Sequence, residues 1–88
     1  MANLTDKEIL SSVLNEHKLA ASSLTNLILE SACPSLRNDA ENILNRTFDA
    51  QKQIFDMMSQ KGWYQGQNAN QQEISMAQQK VKNIQSQL

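Results

Sequence analysis

The chain has 88 residues, 40% of them hydrophobic and 5% aromatic, and its eight basic and nine acidic side chains give a formal net charge of −1. Neither sign forms a run, so the clustered Lys and Arg that a nucleic-acid or anionic-membrane surface requires are missing. A single cysteine builds no internal disulfide framework. No apolar stretch approaches the roughly 20 residues of a membrane span.

One domain, residues 1–88, is therefore expected, in the size range where folding buries only about 60% of the unfolded surface. The opening Met1-Ala2-Asn3-Leu4-Thr5-Asp6 has neither the basic region nor the apolar core of a secretory signal, so synthesis in the cytoplasm is expected. Two glycines and one proline leave few places to turn, which favours long helices.

Helix 1 is predicted over about residues 5–32. Thr5 and Glu8 have capping-box spacing, and Leu4 with Ile9 has that of a hydrophobic staple. Leu10, Leu14, His17, Ala21, Leu24, Ile28 and Ser31 then recur in steps of four and three. Ile9, Val13, Ala20 and Leu27 widen that seam into a bundle-type face. Pro34 disfavours helical geometry in the residue before it, which ends the helix near Ala32-Cys33.

Helix 2 is predicted over about 34–61, with Pro34 in the first turn, where its missing N–H is no loss. It carries two apolar rows: Leu36, Ala40, Ile43, Thr47, Ala50, Ile54 and Met57, and Leu44, Phe48, Phe55 and Met58. A stripe this wide is expected to touch more than one neighbour. The short joint at Cys33-Pro34 folds the two long helices into an antiparallel hairpin. Gly62 stands where a helix end takes a left-handed residue, and Trp63 where a Schellman ending places its apolar contact, back onto Met58.

A loop over 62–69 leads to helix 3, about 70–86. Asn70 with Glu73 makes a second capping box and Ala69 with Ile74 a second staple. Ile74, Ala77, Val81, Ile84 and Leu88 form a narrow stripe on an otherwise polar segment, so this helix is expected to pack lightly on the other two. Helix 3 covers only part of the apolar surface that a hairpin leaves open. Two hairpins pairing into a four-helix bundle are therefore favoured over a three-helix monomer, and a homodimer is expected.

No catalytic constellation is legible. His17, the only histidine, lies on the apolar seam and reads as a core or edge residue rather than a metal ligand. Position 14 is Leu where a Glu-x-x-His pair needs Glu, and helix 2 has no histidine. Cys33 has no resolving cysteine and no neighbouring histidine; it reads as a small, buried or half-buried wedge at the turn, with an intermolecular cross-link as the alternative. Met57 and Met58 read as gap-filling core. With no phosphate loop, Ser/His/Asp set or Cys/His metal spacing, no enzyme activity, cofactor, metal or small-molecule substrate is expected.

Glu30-Ser31-Ala32-Cys33-Pro34-Ser35-Leu36-Arg37 and Gln60-Lys61-Gly62-Trp63-Tyr64-Gln65, with Leu4-Thr5-Asp6-Lys7-Glu8-Ile9-Leu10 before them, resemble the Coat F domain of endospore-forming bacteria. The resemblance covers about residues 4–74. Gly66-Gln67-Asn68 departs from it, since many members carry a proline soon after the Trp-Tyr pair. Members are spore coat or spore-associated proteins similar to ferritin-like bundles. The resemblance thus implies an all-α fold of ferritin-like, four-helix-bundle type and a structural or assembly role in the spore coat, with other coat proteins as partners. It singles out Cys33, Pro34, Leu36, Arg37, Gly62, Trp63 and Tyr64 as packing or interaction residues. Two alternatives are a small ferritin-like metal or redox protein and a WXG-type secreted hairpin. The second fails because Trp63 is followed by Tyr64-Gln65-Gly66 and comes after the second long helix.

Overall fold

The computed structural model describes residues 4–64 and 69–88, which form three helices: α1 (Asp6–Glu30), α2 (Pro34–Gln60) and α3 (Gln71–Gln87). No strand occurs among the described residues. Both expected capping boxes are present. The Thr5 side chain accepts from the Glu8 backbone N–H at 3.2 Å while Glu8 Oε2 accepts from the Thr5 N–H at 3.2 Å. At α3, Asn70 Oδ1 accepts from the Glu73 N–H at 2.8 Å and Glu73 Oε2 from the Asn70 N–H at 3.2 Å. Two of the donors left over at each helix start are thereby satisfied. Of the expected 62–69 loop, residues 65–68, and with them the departure at Gly66-Gln67-Asn68, lie outside the described residues.

Cys33 is extended, as the residue before a proline should be, so α1 stops and α2 starts within three residues. The two long helices run back along each other as an antiparallel pair, about 40 Å long. From α1 the seam takes the four-three row read from the sequence: Leu14 is buried, and Leu10, His17, Ala21, Leu24, Ile28 and Ser31 are half-buried. From α2 it takes Ala40, Leu44, Thr47, Gln51, Ile54 and Met58, which mixes members of the two expected rows with polar Gln51. The remaining apolar residues of α2 fall to either side of this seam. Leu36, Ile43 and Met57 are exposed on one side and Phe48 on the other. The wide stripe therefore meets one neighbour, not several.

Helix α3 corrects a second expectation. It makes no contact with either α1 or α2, and all its residues are exposed. The physical reason is its narrow stripe, which offers no aromatic ring and is flanked by Gln, Asn, Ser and Lys whose hydration opposes burial. The staples add little cover at the helix starts, for Leu4, Ile9 and Ile74 all stay exposed.

The result is a thin body, 48 × 37 × 15 Å, one helix layer deep. Its radius of gyration is 16.8 Å, whereas a compact domain of this length has about 12 Å. Only Leu14, Ala40 and Met58 are fully buried among the described residues. A helical layer normally hides its apolar side against a second layer, and the described residues do not supply one.

Candidate functional site

The residues singled out by sequence gather at the two ends of the hairpin. At the turn, the Cys33 N–H donates to Ser31 Oγ at 3.2 Å, and the Arg37 backbone N–H donates to the Cys33 carbonyl at 3.0 Å. Arg37 also reaches back across the joint, its Nη1 donating to the Ser31 carbonyl at 3.1 Å. Helix α1 has no basic residue in its last turn. Arg37 therefore supplies from α2 the cation that a helix C-terminus favours, and ties the two helices together through a charged hydrogen bond. The Cys33-Pro34-x-Leu36-Arg37 motif is thus a turn fastener, with Pro34 as its rigid start.

Cys33 itself is exposed, not wedged between helices. An extended residue at the tip of so short a joint points its side chain outward. Although it occupies the N-cap of α2, its side chain caps nothing, since sulfur is a weak acceptor.

At the other end, Gly62 has φ +72°. The Gly62 N–H donates to the Ser59 carbonyl at 3.1 Å and the Trp63 N–H to the Met58 carbonyl at 2.8 Å. That pair of bonds is the Schellman ending expected here. The half-buried Trp63 ring shares a cleft with Asp6, Ile9, Leu10, Met57 and Lys61, and the Lys61 ammonium lies 5.0 Å from the ring centre. Its side chain thus spans the start of α1 and the end of α2.

Tyr64 goes to the opposite side. Its ring meets Phe55 edge-on at 4.8 Å between centroids, and the Lys18 ammonium lies 5.6 Å away. The two aromatic neighbours thus straddle the hairpin end and clasp it from both flanks. The pairings with Ser31, Lys18 and Phe55 were not readable from sequence. A one-dimensional pattern gives a residue's own helix face but not which residue of the other helix stands level with it.

The two flanks differ in character. Where Tyr64 packs, the rim combines Lys18 with Phe48 and Phe55. On the Trp63 flank α1 presents Val13, Ala20 and Leu27, and α2 presents Leu36, Ile43, Ala50 and Met57, each set seven residues apart, with Ile9 at the end. Residues seven apart lie nearly above one another on a helix. The result is an apolar furrow running the length of the hairpin, in which Ile9, Leu27, Leu36, Ile43 and Met57 are exposed.

His17 finds its partner within its own helix. Its Nδ1 lies 2.8 Å from the Val13 carbonyl, and no group of three His, Cys, Asp or Glu is placed to hold a metal ion among the described residues.

A two-helix hairpin fastened by a Cys-Pro-x-Leu-Arg turn and closed by a Gly-Trp-Tyr end is a fold of helical packing, in which Pro34, Arg37, Gly62, Trp63 and Tyr64 set or clasp the helices while Cys33 and Leu36 stay exposed. The Coat F domain model matches residues 5–67, and the chain belongs to that family of spore coat-related, structural proteins, which is not known as enzymatic. The uncharacterized protein YusN of Bacillus subtilis (strain 168) is similar, 25% identical over 81 residues that cover 92% of this chain and 74% of YusN. No solved structure matches. No helix described here is long and apolar enough to cross a membrane.

Proposed function

We propose that this protein is a non-enzymatic structural or assembly component of the bacterial endospore coat, acting through helix-to-helix contacts with other coat proteins and with itself. The observation that carries this reading is the Coat F match over residues 5–67 falling on a hairpin with an open apolar furrow. The family supplies the setting. The furrow supplies the means, since an exposed apolar strip bounded by polar residues is the usual mark of a protein-binding surface. Every residue of the two family motifs that the structure engages fixes helix geometry, which suits a part whose task is to present a shaped surface.

The test is fractionation. An epitope-tagged chain, expressed from its own promoter, should appear only in sporulating cells and be recovered in the coat extract of purified spores. Constant abundance in vegetative cells, or recovery in the spore core and not in the coat, would overturn the reading.

A further inference from the structure

We propose that the furrow between α1 and α2 on the Trp63 flank is the seat of a second copy of this chain, the same furrow on both copies meeting about a two-fold axis to make a four-helix bundle. This rests on the self-association in the functional reading above and gives it a surface.

The first support is area. The chain exposes 7436 Å², whereas a compact protein of its mass exposes about 5,200 Å². The wholly exposed α3 accounts for part of this excess of about 2,200 Å² and the open flank of the hairpin for the rest, against the roughly 800 Å² per partner that a stable interface buries. With the body only 15 Å thick, a second layer is what the fold lacks, and a second hairpin is such a layer.

The second support is shape. Along the furrow Ile9 and Met57 stand towards one end and Leu27 and Leu36 towards the other, with Ile43 about one turn from the middle of α2. Ala20 and Ala50, near the middle of their helices, lie within about one turn of the same height. A waist of alanines lets two hairpins approach closely at their centre, while the larger side chains on either side interdigitate. Such a profile is self-complementary, as an interface repeated about a two-fold axis must be. The other flank lacks it, carrying Lys18 opposite Phe48 and Phe55.

The third support concerns the competitor for the furrow, α3 of the same chain. The chain leaves the hairpin at Tyr64, whose ring is held on Phe55 and beside Lys18 on the far flank. The Trp63 ring meanwhile stands over the furrow's end beside Ile9 and Met57. Helix α3 makes no contact with α1 or α2, so among the described residues the furrow stays open to another molecule.

Sedimentation equilibrium on the full chain tests this with four variants. Ile43 and Phe48 are equally exposed, at 51% and 50%, but lie on opposite flanks. The wild-type chain should sediment at twice 9.9 kDa, and Ile43→Glu should raise its dissociation constant on the order of a hundredfold, as burying a charge at an interface centre does. Phe48→Glu, and Val81→Glu on the α3 stripe, should leave it within about threefold. If Ile43→Glu loses helicity, Ala20→Gln decides. Its site is exposed in the single chain, so the hairpin tolerates the longer side chain while the waist does not.

A chain of 9.9 kDa at all concentrations would overturn the proposal, as would loosening by Phe48→Glu or Val81→Glu equal to that by Ile43→Glu. A strictly monomeric chain recovered from the spore coat would sink this proposal alone and leave the coat assignment standing.

Discussion

Gly62 offers the sharpest test of how the hairpin is closed. Its φ of +72° places it in the left-handed region, yet a Cβ built there would meet nothing within 4 Å. The cost of a side chain is therefore a backbone cost alone, without collision against neighbours. Left-handed geometry costs an L-residue about 1–2 kcal/mol, less for Asn, whose short polar side chain tolerates it, and most for a β-branched residue. The expected order of destabilisation is Asn, then Ala at about 1 kcal/mol, then Val at about 2 kcal/mol. In a domain of this size 1 kcal/mol lowers Tm by roughly 4–8 °C, which thermal circular dichroism at fixed protein concentration resolves. A D-alanine at position 62, in the synthetic chain, should match or exceed glycine, because its preferred φ is positive and it has fewer unfolded conformations to lose. Equal Tm values for Gly62→Val and wild type would refute the reasoning. So would a D-alanine chain as unstable as Gly62→Ala, since the penalty would then come from bulk and not from handedness.

Other outcomes follow from the turn and the seam. Arg37→Ala should cost about 1.5 kcal/mol through its charged bond to the Ser31 carbonyl, with less than full rescue by Lys, measured as a shift in urea midpoint; no shift would mean the contact is not formed in solution. Cys33→Ser should leave stability unchanged or raise it by up to about 0.5–1 kcal/mol in reducing buffer. The serine oxygen can cap a helix start that is bare, whereas those of α1 and α3 are capped; a lower Tm would point to a packing role for the thiol. His17→Leu should be neutral within about 1 kcal/mol or stabilising. The Val13 carbonyl facing the ring already accepts the helical N–H of residue 17, so no acceptor is stranded; a loss above about 2 kcal/mol would give the imidazole a role in the fold.

Features whose chemistry is local were readable from sequence. Thr5 with Glu8 and Asn70 with Glu73 are reciprocal bonds within four residues, so spacing alone reveals them. Pro34 and Gly62 impose or require backbone angles by themselves. The α1 seam was legible because its four-three row is unbroken from Leu10 to Ser31, with Ile9, Val13, Ala20 and Leu27 all to one side of it. On α2 there were two rows, and periodicity does not say how a helix with apolar residues over half its girth turns towards its partner. The structure turns it so that Gln51 faces inward and Ile43 outward. The separation of α3 was equally out of reach, because a stripe such as Ile74-Ala77-Val81 records that a helix has an apolar side and not what meets it. Arg37 was visible as a motif residue, but its acceptor, Ser31, depends on the path of a joint too short to carry a signature of its own.

The sole tryptophan and the sole cysteine stand at opposite ends of α2, separated by a rigid rod of about 40 Å. Nature has thereby fitted the chain with a ruler: an intrinsic emitter at one end and, in the exposed Cys33 thiol, an attachment point for an absorbing dye at the other. Within one chain the pair is too far apart for efficient energy transfer unless the hairpin bends. Between two paired chains the distance depends on polarity, for a head-to-tail arrangement brings the emitter of each beside the dye of the other, while a head-to-head arrangement keeps them a helix length apart. A single-wavelength quenching experiment on mixed labelled and unlabelled protein would thus read the direction in which two copies lie.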